Sequence, residues 1–470
     1  MRFRKLLGFA ATAAIGLSTQ SLRADNPVNP ADNRLIVHEW GTFTALQDEH
    51  GKAIGGINTD DEPVPSFVHN LNSLLLQSPS QLPPTFFKGW PRCDKDVIVR
   101  LETPVIYFHP PRGSAPMKLD VDVEFKGGWL TQFYPDAKAS APGLKNGMDE
   151  HGILNDQTLG SLAWHNLTIG TDRRGPETTE RVWTAPREVD AANVTTPAGE
   201  SERYLFYRGV GHMNAPLQVT RTGADLFVVR ADWSKWVEQD QNFAVGPLWL
   251  VDVREDGTCA LRTIEPVKIR ERLPDPMAEF PASFAATDYR ADNLAVIRGE
   301  LKKALVREGL YGDEADGLLN TWEASYFKRP GLRLFFMVPP VWTQHYLPLR
   351  ISQSAYITRV MIGRIELVTP HQRELLAHVS RGPASNPKWL NEALTKLMAS
   401  HDDRYRDEFY RRAFDGKQPL VGMDIQMPAD YRAYLGLGRF RNALILEELK
   451  NHPTQELARF VKNYQLEGSN

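Results

Sequence analysis

The stretch Leu35–Leu46 reads LIVHEWGTFTAL and is rich in β-branched and aromatic residues, a composition typical of a β-strand. It runs into Asp48–Lys52, DEHGK, whose glycine and polar residues are typical of a turn. We therefore predict that this stretch is the first strand of a hairpin.

Further strand-like segments follow as far as about Pro266, with Gly, Pro, Asn or Asp between them. They are VIVRLETPVIYFH, MKLDVDVEF, WLTQFY, LAWHNLTIG, RYLFYRGV, LQVTR, DLFVVRADW and PLWLVDV. Many short strands at this spacing favour a two-layer or barrel-like sheet. We predict an α+β chain with an N-terminal antiparallel β-sandwich or open barrel over residues 35–265.

The rest of the chain has a different pattern. Prolines interrupt residues 266–292, which we interpret as a linker, and a mostly helical region is predicted over 293–470. Its first helix would have one apolar face and end at a glycine, on the evidence of Leu294, Ile297, Leu301, Leu305 and Gly309. Further helices are predicted over 313–326 and from the cap-like pairs Thr369-Pro370 and Asn386-Pro387. Two strands, LRLFFMV and ITRVMIGRIELV, interrupt them, and the sequence leaves open whether they join the N-terminal sheet.

The N-terminus predicts export. Residues 1–24 contain a basic start, an apolar run too short for a permanent membrane span, and small residues before a cleavage point after Ala24; a polar lead-in over 25–34 follows. Cleavage removes four basic residues, which leaves 51 basic against 58 acidic residues, a net charge of −7. This balance argues against nucleic acid as a partner, and no later segment is apolar enough for membrane insertion. We expect a periplasmic or extracellular protein.

The chain has two cysteines, Cys93 and Cys259. In an oxidising compartment they could form one disulfide bond, and the alternative is a pair of buried thiols. Their spacing matches no redox or zinc motif.

His38 and Glu39 are candidate catalytic residues because imidazole and carboxylate groups perform acid–base chemistry. Adjacent side chains of a regular strand point to opposite faces, so the two could share a site only if a bulge, such as one at Gly41, re-aims one of them. No second histidine follows at HExxH spacing. The alternative is a strand buried on both faces.

Charged residues recur inside other apolar segments. We assign Glu102 as a third candidate catalytic residue and Arg208, Arg359 and Arg364 as candidate ligand-binding residues. If these side chains converge, the surplus of arginine could bind an anionic ligand such as a carboxylate, sulfate or phosphate. The alternative is a set of internal ion pairs, in which Arg333 and Glu366 could also take part.

Two further patterns in the sequence are weaker. His371, Glu374 and His378 share one helix face and could bind zinc, but one helix supplies too few convergent ligands, so we assign no metal ligand. The tryptophans near loops or strand ends could stack on sugars or instead fill the core. They are Trp90, Trp129, Trp164, Trp183, Trp233 and Trp236.

Several phrases resemble those of a family of exported bacterial proteins with an HEWGTFT-type N-terminal strand. They are VHEWGTFTALQDE, LETPVIYF, YLFYRG, GLRLFFMVPPVWTQHYLPL and TRVMIGRIELVTP. The resemblance is spread over most of the chain and implies export and one recurring architecture. It implies no activity and no catalytic residue.

From the sequence we expect a hydrolase of an envelope or environmental polymer, in which a carboxylate acts as general base and arginines bind an anionic group. The alternative is a non-catalytic binding or scaffold protein that contacts its ligand through aromatic loops. The partner would be an anionic small molecule or a polysaccharide, and the sequence does not indicate a cofactor.

Overall fold

A large mixed β-sheet dominates the computed structural model of this protein. The structure describes residues 34–57, 64–71, 95–144, 153–223, 225–231, 243–269, 277–390, 392, 427–464 and 466. The predicted signal peptide, Cys93, Trp90, Trp233 and Trp236 lie outside these residues.

The strands, in chain order, are β1 (Leu35–Gln47), β2 (His69–Asn70), β3 (Val99–His109), β4 (Met117–Lys126), β5 (Gly128–Tyr134), β6 (Lys138–Ser140), β7 (Leu159–Ile169), β8 (Val194–Thr195), β9 (Ser201–Glu202), β10 (Leu205–Gly211), β11 (Leu217–Thr222), β12 (Leu226–Ala231), β13 (Phe243–Val245), β14 (Leu248–Val253), β15 (Cys259–Ile264), β16 (Val267–Ile269), β17 (Met277–Pro281), β18 (Gly331–Met337), β19 (Leu349–Ile351) and β20 (Ala355–Leu367).

The helices are α1 (Arg181–Thr184), α2 (Asn293–Arg307), α3 (Gly312–Thr321), α4 (Pro340–Tyr346), α5 (Pro370–Arg381), α6 (Ala429–Gly436), α7 (Arg441–Asn451) and α8 (Gln455–Asn463). A π-helical turn, Ala324–Lys328, follows α3. Most helices therefore lie in the C-terminal region. None of the described helices is both long enough and apolar enough to cross a bilayer.

The prediction of an N-terminal β-sandwich or open barrel is wrong. Fifteen of the described strands form one mixed sheet that is not a closed barrel, with the main order β15-β14-β18-β20-β1-β3-β10-β5-β7-β4-β19. Strand β20, from the region predicted to be mostly helical, lies parallel to β1, and β18 joins β20 to β14. The two C-terminal strands thus lie near the middle of the sheet rather than outside it.

The central strands are covered on both faces. Strand β1 is buried along almost its whole length, with Val37 and Phe43 in the apolar core on one face and Trp40 in the core on the other. The second core includes the apolar faces of α2 and α3. A strand that is covered on both sides is typically apolar along nearly its whole length. The apolar sequence of β1 matches this position between the two cores.

The predicted helix faces are found in the structure. In α2, Ile297, Leu301 and Leu305 are fully buried. Gly309 follows with a φ of +110°, and a Cβ there would lie 3.1 Å from Thr358 on β20, so the turn between α2 and α3 rests on β20.

Candidate functional site

Strand β1 presents His38 and Glu39 to opposite faces of the sheet. In the pairing with β3, His38 lies opposite Tyr107 and Glu39 opposite Ile106, and the register shifts only later, between Trp40 and Thr42. The bulge at Gly41 therefore lies beyond both residues and does not bring their side chains together.

On the face covered by α2 and α3, a carboxylate bridges two histidines. Glu314 Oε2 lies 2.7 Å from His38 Nδ1, and Glu314 Oε1 lies 2.9 Å from His109 Nε2. His109 is the last residue of β3. Tyr107 lies opposite His38 and so shares its face, and His109, two residues after Tyr107 on the same strand, points to that face as well. Two neighbouring strands and one helix thus bring three chemically active side chains together.

The local sequence of α3 explains the position of the carboxylate. Glu314 is the third residue of α3, and its Oε2 accepts a hydrogen bond of 2.7 Å from the backbone N–H of Tyr311, which precedes the helix. This is the carboxylate half of a capping box, and an acidic group in the first turn also interacts favourably with the helix dipole. The helix start therefore orients the carboxylate independently of its contacts with the histidines.

The cluster opens toward solvent on one side. Glu314 is fully buried and His38 nearly so, whereas the side chain of His109 is 13% exposed. The ring of Tyr311 lies 4.6 Å from that of His38 and 5.0 Å from that of His109, and Tyr311 is 42% exposed. A small molecule would therefore approach the cluster past His109 and Tyr311.

Glu314 is an anion at neutral pH. Burial by itself raises the pKa of its carboxyl group, but the hydrogen bonds from His109, His38 and the Tyr311 N–H lower this pKa to about 2. A carboxylate can only accept hydrogen bonds, so the ring nitrogens that face it carry protons when they bond to it. The second nitrogen of each neutral imidazole then has a free lone pair.

The same three residues could hold a metal ion. One ligand atom from each of His38, His109 and Glu314 lies within 4.8 Å of the others, and this is the group of three that the described residues provide. His371, Glu374 and His378 on α5 do not form such a group among the described residues. His371 and Glu374 form an exposed pair, with 3.6 Å between His371 Nδ1 and Glu374 Oε2.

On the opposite face of the sheet, Glu39 is part of a buried ion pair. Its carboxylate accepts hydrogen bonds from the Tyr207 hydroxyl and from Arg359 Nε, and Arg359 Nη1 also donates to the carbonyl of Leu347 at 2.6 Å. Burial lowers the pKa of Arg359, but the Glu39 charge outweighs it and the pKa is raised. These contacts describe a structural pair and not an open catalytic site.

Glu102 lies in a third place. It is fully buried, accepts a hydrogen bond of 2.6 Å from Arg439 Nη2, and has Arg100 and Arg364 at 3.6 and 3.7 Å. Because Glu102 pairs with Thr42, four residues beyond His38 on β1, it lies roughly 13 Å along the sheet from the histidines.

Arg208 lies beside a strained, irregular point within β3. Its Nε and Nη2 both donate to the Thr103 hydroxyl at 3.2 Å, and Thr103 has a φ of +47°. Positive φ is rare for a β-branched residue and occurs where the surroundings hold the backbone in place. Register shifts in the β10 pairings with β3 and β5 lie next to this point.

The six residues selected from the sequence therefore do not form one cleft. His38 lies in the histidine cluster, and Glu39 and Arg359 pair on the other face. Glu102 and Arg364 lie together with Arg439, and Arg208 bonds to Thr103, the residue after Glu102. The convergence that the sequence-based hydrolase hypothesis required is absent from the described residues.

Sequence reasoning missed two residues of the histidine cluster, His109 and Glu314. His109 carries a weak signal, since it ends an apolar strand just before Pro110-Pro111. Glu314 carries only a helix-start signal, because it lies 276 residues from His38 in the sequence. Glu314 reaches His38 and His109 only because α3 packs against the sheet.

The tryptophans that the structure describes do not form a sugar-stacking surface. Trp129, Trp164 and Trp183 are buried. The indole N–H groups of Trp164 and Trp183 donate to the Pro135 carbonyl and to Glu202, as expected for core tryptophans.

Comparison with known proteins assigns no family. No family model matches the chain, and no curated protein matches it. Among solved structures it is similar to the Fcho1 Mu homology domain of Danio rerio with bound Eps15 peptide, at 7% identity, over 72% of this chain and 95% of that chain, with a TM-score of 0.25. A similarity this low carries no argument about fold or function.

Proposed function

We propose that this protein is an exported hydrolase of an envelope or environmental polymer whose water-activating centre is His38, Glu314 and His109. The observation that carries the proposal is the buried, ionised carboxylate held between two imidazoles, one of which is partly exposed to solvent. The leader-like residues 1–24 support export.

The chemistry follows from the hydrogen bonds. When His109 donates its Nε2 proton to Glu314, its Nδ1 atom is a proton acceptor that can take a proton from water. The imidazolium that forms would be stabilised by the adjacent carboxylate, which also holds the ring in one tautomer. His38 holds the second oxygen of Glu314 and so fixes the orientation of the carboxylate.

Polymer hydrolysis also needs a bound substrate. The sequence-based hypothesis assigned this role to Arg208, Arg359 and Arg364. Arg208 and Arg364 are buried, and all three donate hydrogen bonds to groups outside the histidine cluster. We therefore propose that substrate approaches by the Tyr311 side. We propose that the ligand is an anionic small molecule or a polysaccharide.

The experiment is a turnover screen with the full chain. Chromogenic esters, glycosides, phosphodiesters and peptides would be tested against the wild type, His109→Asn and the control His371→Asn, which replaces a histidine that is 75% exposed. We expect one class to be hydrolysed, with a loss of roughly 100-fold or more in His109→Asn, the range for a general base. No turnover of any class, or equal turnover by His109→Asn, would overturn the proposal. The first outcome would favour the non-catalytic binding or scaffold alternative, and the second would place the reaction at other residues.

A further inference from the structure

We propose that His38, His109 and Glu314 bind one divalent zinc ion. The binding itself is independent of the reaction, whereas the choice of zinc rests on the proposed hydrolytic function, which this inference deepens. The donor set is two imidazole nitrogens and one carboxylate oxygen, with all three ligand atoms within 4.8 Å of one another.

The spacing fits an ion after a small adjustment. Zinc lies about 2.0–2.2 Å from nitrogen and oxygen ligands, so ligand atoms around a tetrahedral ion are separated by roughly 3.4 Å. The two nitrogen–oxygen distances here are 2.7 and 2.9 Å. These two distances run to different oxygens of Glu314, Oε2 and Oε1. An ion among the ligand atoms replaces both hydrogen bonds, so the side chains must move apart beyond hydrogen-bond distance and the imidazole protons must move to the outer ring nitrogens.

The charge and support of the cluster also fit a cation. Glu314 contributes a buried carboxylate, which binds a metal ion as an anion, and the imidazoles are neutral when they coordinate. The backbone N–H of Tyr311 bonds to Glu314 Oε2, which is the kind of outer contact that orients a metal-binding carboxylate. The ligands come from two central strands and a helix start, elements that hold side chains in precise positions.

The number of ligands indicates a catalytic rather than a structural ion. Structural zinc sites close with four protein ligands, whereas catalytic sites have three and leave one position for water or substrate. In this cluster the fourth position would face the side on which His109 and Tyr311 are exposed. A zinc ion there would lower the pKa of its bound water. The metal would then replace His109 Nδ1 in activating that water, because Nδ1 carries the ring proton when Nε2 binds the ion.

The donor types narrow the choice of ion. Imidazole nitrogen favours zinc and other first-row transition metals, while calcium and magnesium prefer oxygen ligands. Two histidines and one carboxylate also suit iron(II), but hydrolysis needs no change of oxidation state. Among these ions, zinc is therefore the one that best suits the proposed hydrolysis.

The test measures binding directly. The purified full chain would be stripped with a chelator, checked by circular dichroism, and titrated with Zn²⁺, Fe²⁺, Ca²⁺ and Mg²⁺ by calorimetry, with elemental analysis of the protein as purified. Co²⁺ would serve as a visible-absorption probe of nitrogen and oxygen coordination. We expect one zinc ion per chain and no comparable binding of Ca²⁺ or Mg²⁺.

The matched variants are His109→Asn, at the most exposed ligand, and His371→Asn as the control. We expect zinc affinity to fall in His109→Asn by more than the roughly 10–100-fold that loss of an outer contact causes, and to be unchanged in the control. Glu314→Gln is a second variant, accepted only if its circular dichroism matches the wild type. No zinc binding by the stripped wild type, equal binding by His109→Asn, or tighter binding of iron would overturn the inference.

The two proposals fail in different ways. If zinc binds but no substrate class is hydrolysed, the metal site stands and the hydrolase proposal fails. If the stripped wild type binds no zinc, and hydrolysis persists in chelator yet is lost in His109→Asn, the hydrolase proposal stands and the metal site fails.

Discussion

Glu39 and Arg359 lie directly opposite each other on the parallel strands β1 and β20, and their side chains form a buried ion pair although 320 residues separate them in the sequence. In chain order, this pair joins the first strand of the sheet to the last. It therefore links the N-terminal and C-terminal parts of the chain inside the core.

Replacement of Glu39 by Gln should destabilise the fold strongly, because it leaves the Arg359 cation buried without an anion. Removing one partner of a buried pair costs about 3–5 kcal/mol of unfolding free energy. Urea denaturation followed by circular dichroism measures this cost. The control is Glu374→Gln, which removes an exposed carboxylate and should change the stability by less than about 0.5 kcal/mol. Equal stability of the two variants would show that the buried pair is not important to the fold.

Replacement of Gly363 by Ala should also destabilise the sheet. A Cβ atom at this position would lie 2.6 Å from Cε1 of Phe336 and closer still to Cζ, and both residues are part of the packed pairing of β18 with β20. Overpacking of this kind costs about 1–3 kcal/mol.

The matched control for Gly363 is Gly299→Ala in α2, where a Cβ would meet nothing within 4 Å. Alanine is the better helix former, so this variant should be more stable by about 0.5–1 kcal/mol. Thermal denaturation of both variants tests the two signs together. A stable Gly363→Ala protein would contradict the close approach of Phe336.

The ion pair between Glu49 and Arg373 should make stability depend on pH. Burial raises the pKa of Glu49, but hydrogen bonds of 2.8 Å from Arg373 outweigh it, so the pKa in the folded state is below the ordinary value of 4.5. A carboxyl group of this kind stabilises the fold above its unfolded pKa, and this contribution is lost as the pH falls through its folded pKa.

The measurement compares urea unfolding of the wild type and Glu49→Gln between pH 7 and pH 3. At pH 7 the wild type should be the more stable, by no more than about 1 kcal/mol because both side chains are partly exposed. The difference should shrink below pH 4.5. A difference that stays constant over this range would show that Glu49 does not carry the effect.

Replacement of Thr369 by Ala should destabilise α5. The Thr369 hydroxyl accepts a hydrogen bond of 3.2 Å from the Gln372 N–H, and the Gln372 side chain accepts one of 2.9 Å from the Thr369 N–H. Loss of such a cap costs about 1 kcal/mol. Thr369→Ser keeps the hydroxyl and should unfold at nearly the same urea concentration as the wild type. If both variants lose equal stability, the hydroxyl is not the cause.

Local structure was predictable because its causes are local. The cap at Thr369, the buried face of α2 and the strand at Leu35–Leu46 each follow from residues a few positions apart, and the structure confirms them. The separation of His38 from Glu39 is also local, since alternation along a strand requires it.

Strand pairing was not predictable, and the sandwich prediction failed for that reason. An apolar run indicates a strand but does not identify its neighbour, so nothing in ITRVMIGRIELV shows that it would lie parallel to LIVHEWGTFTAL. Once β20 lies beside β1, Arg359 must face Glu39 and Arg364 must lie on the side of Glu102.

In the candidate site, too, the local features were predictable and the long-range contacts were not. By itself, the sequence determined that His38 lies on a strand and points away from Glu39, and that a helix begins near Glu314. Only the tertiary structure decided that this helix start packs on β1 and β3, because burial of the apolar faces of α2 and α3 against the sheet selects that contact from many that the pattern allows. The approach of His38, His109 and Glu314 is a consequence of that packing.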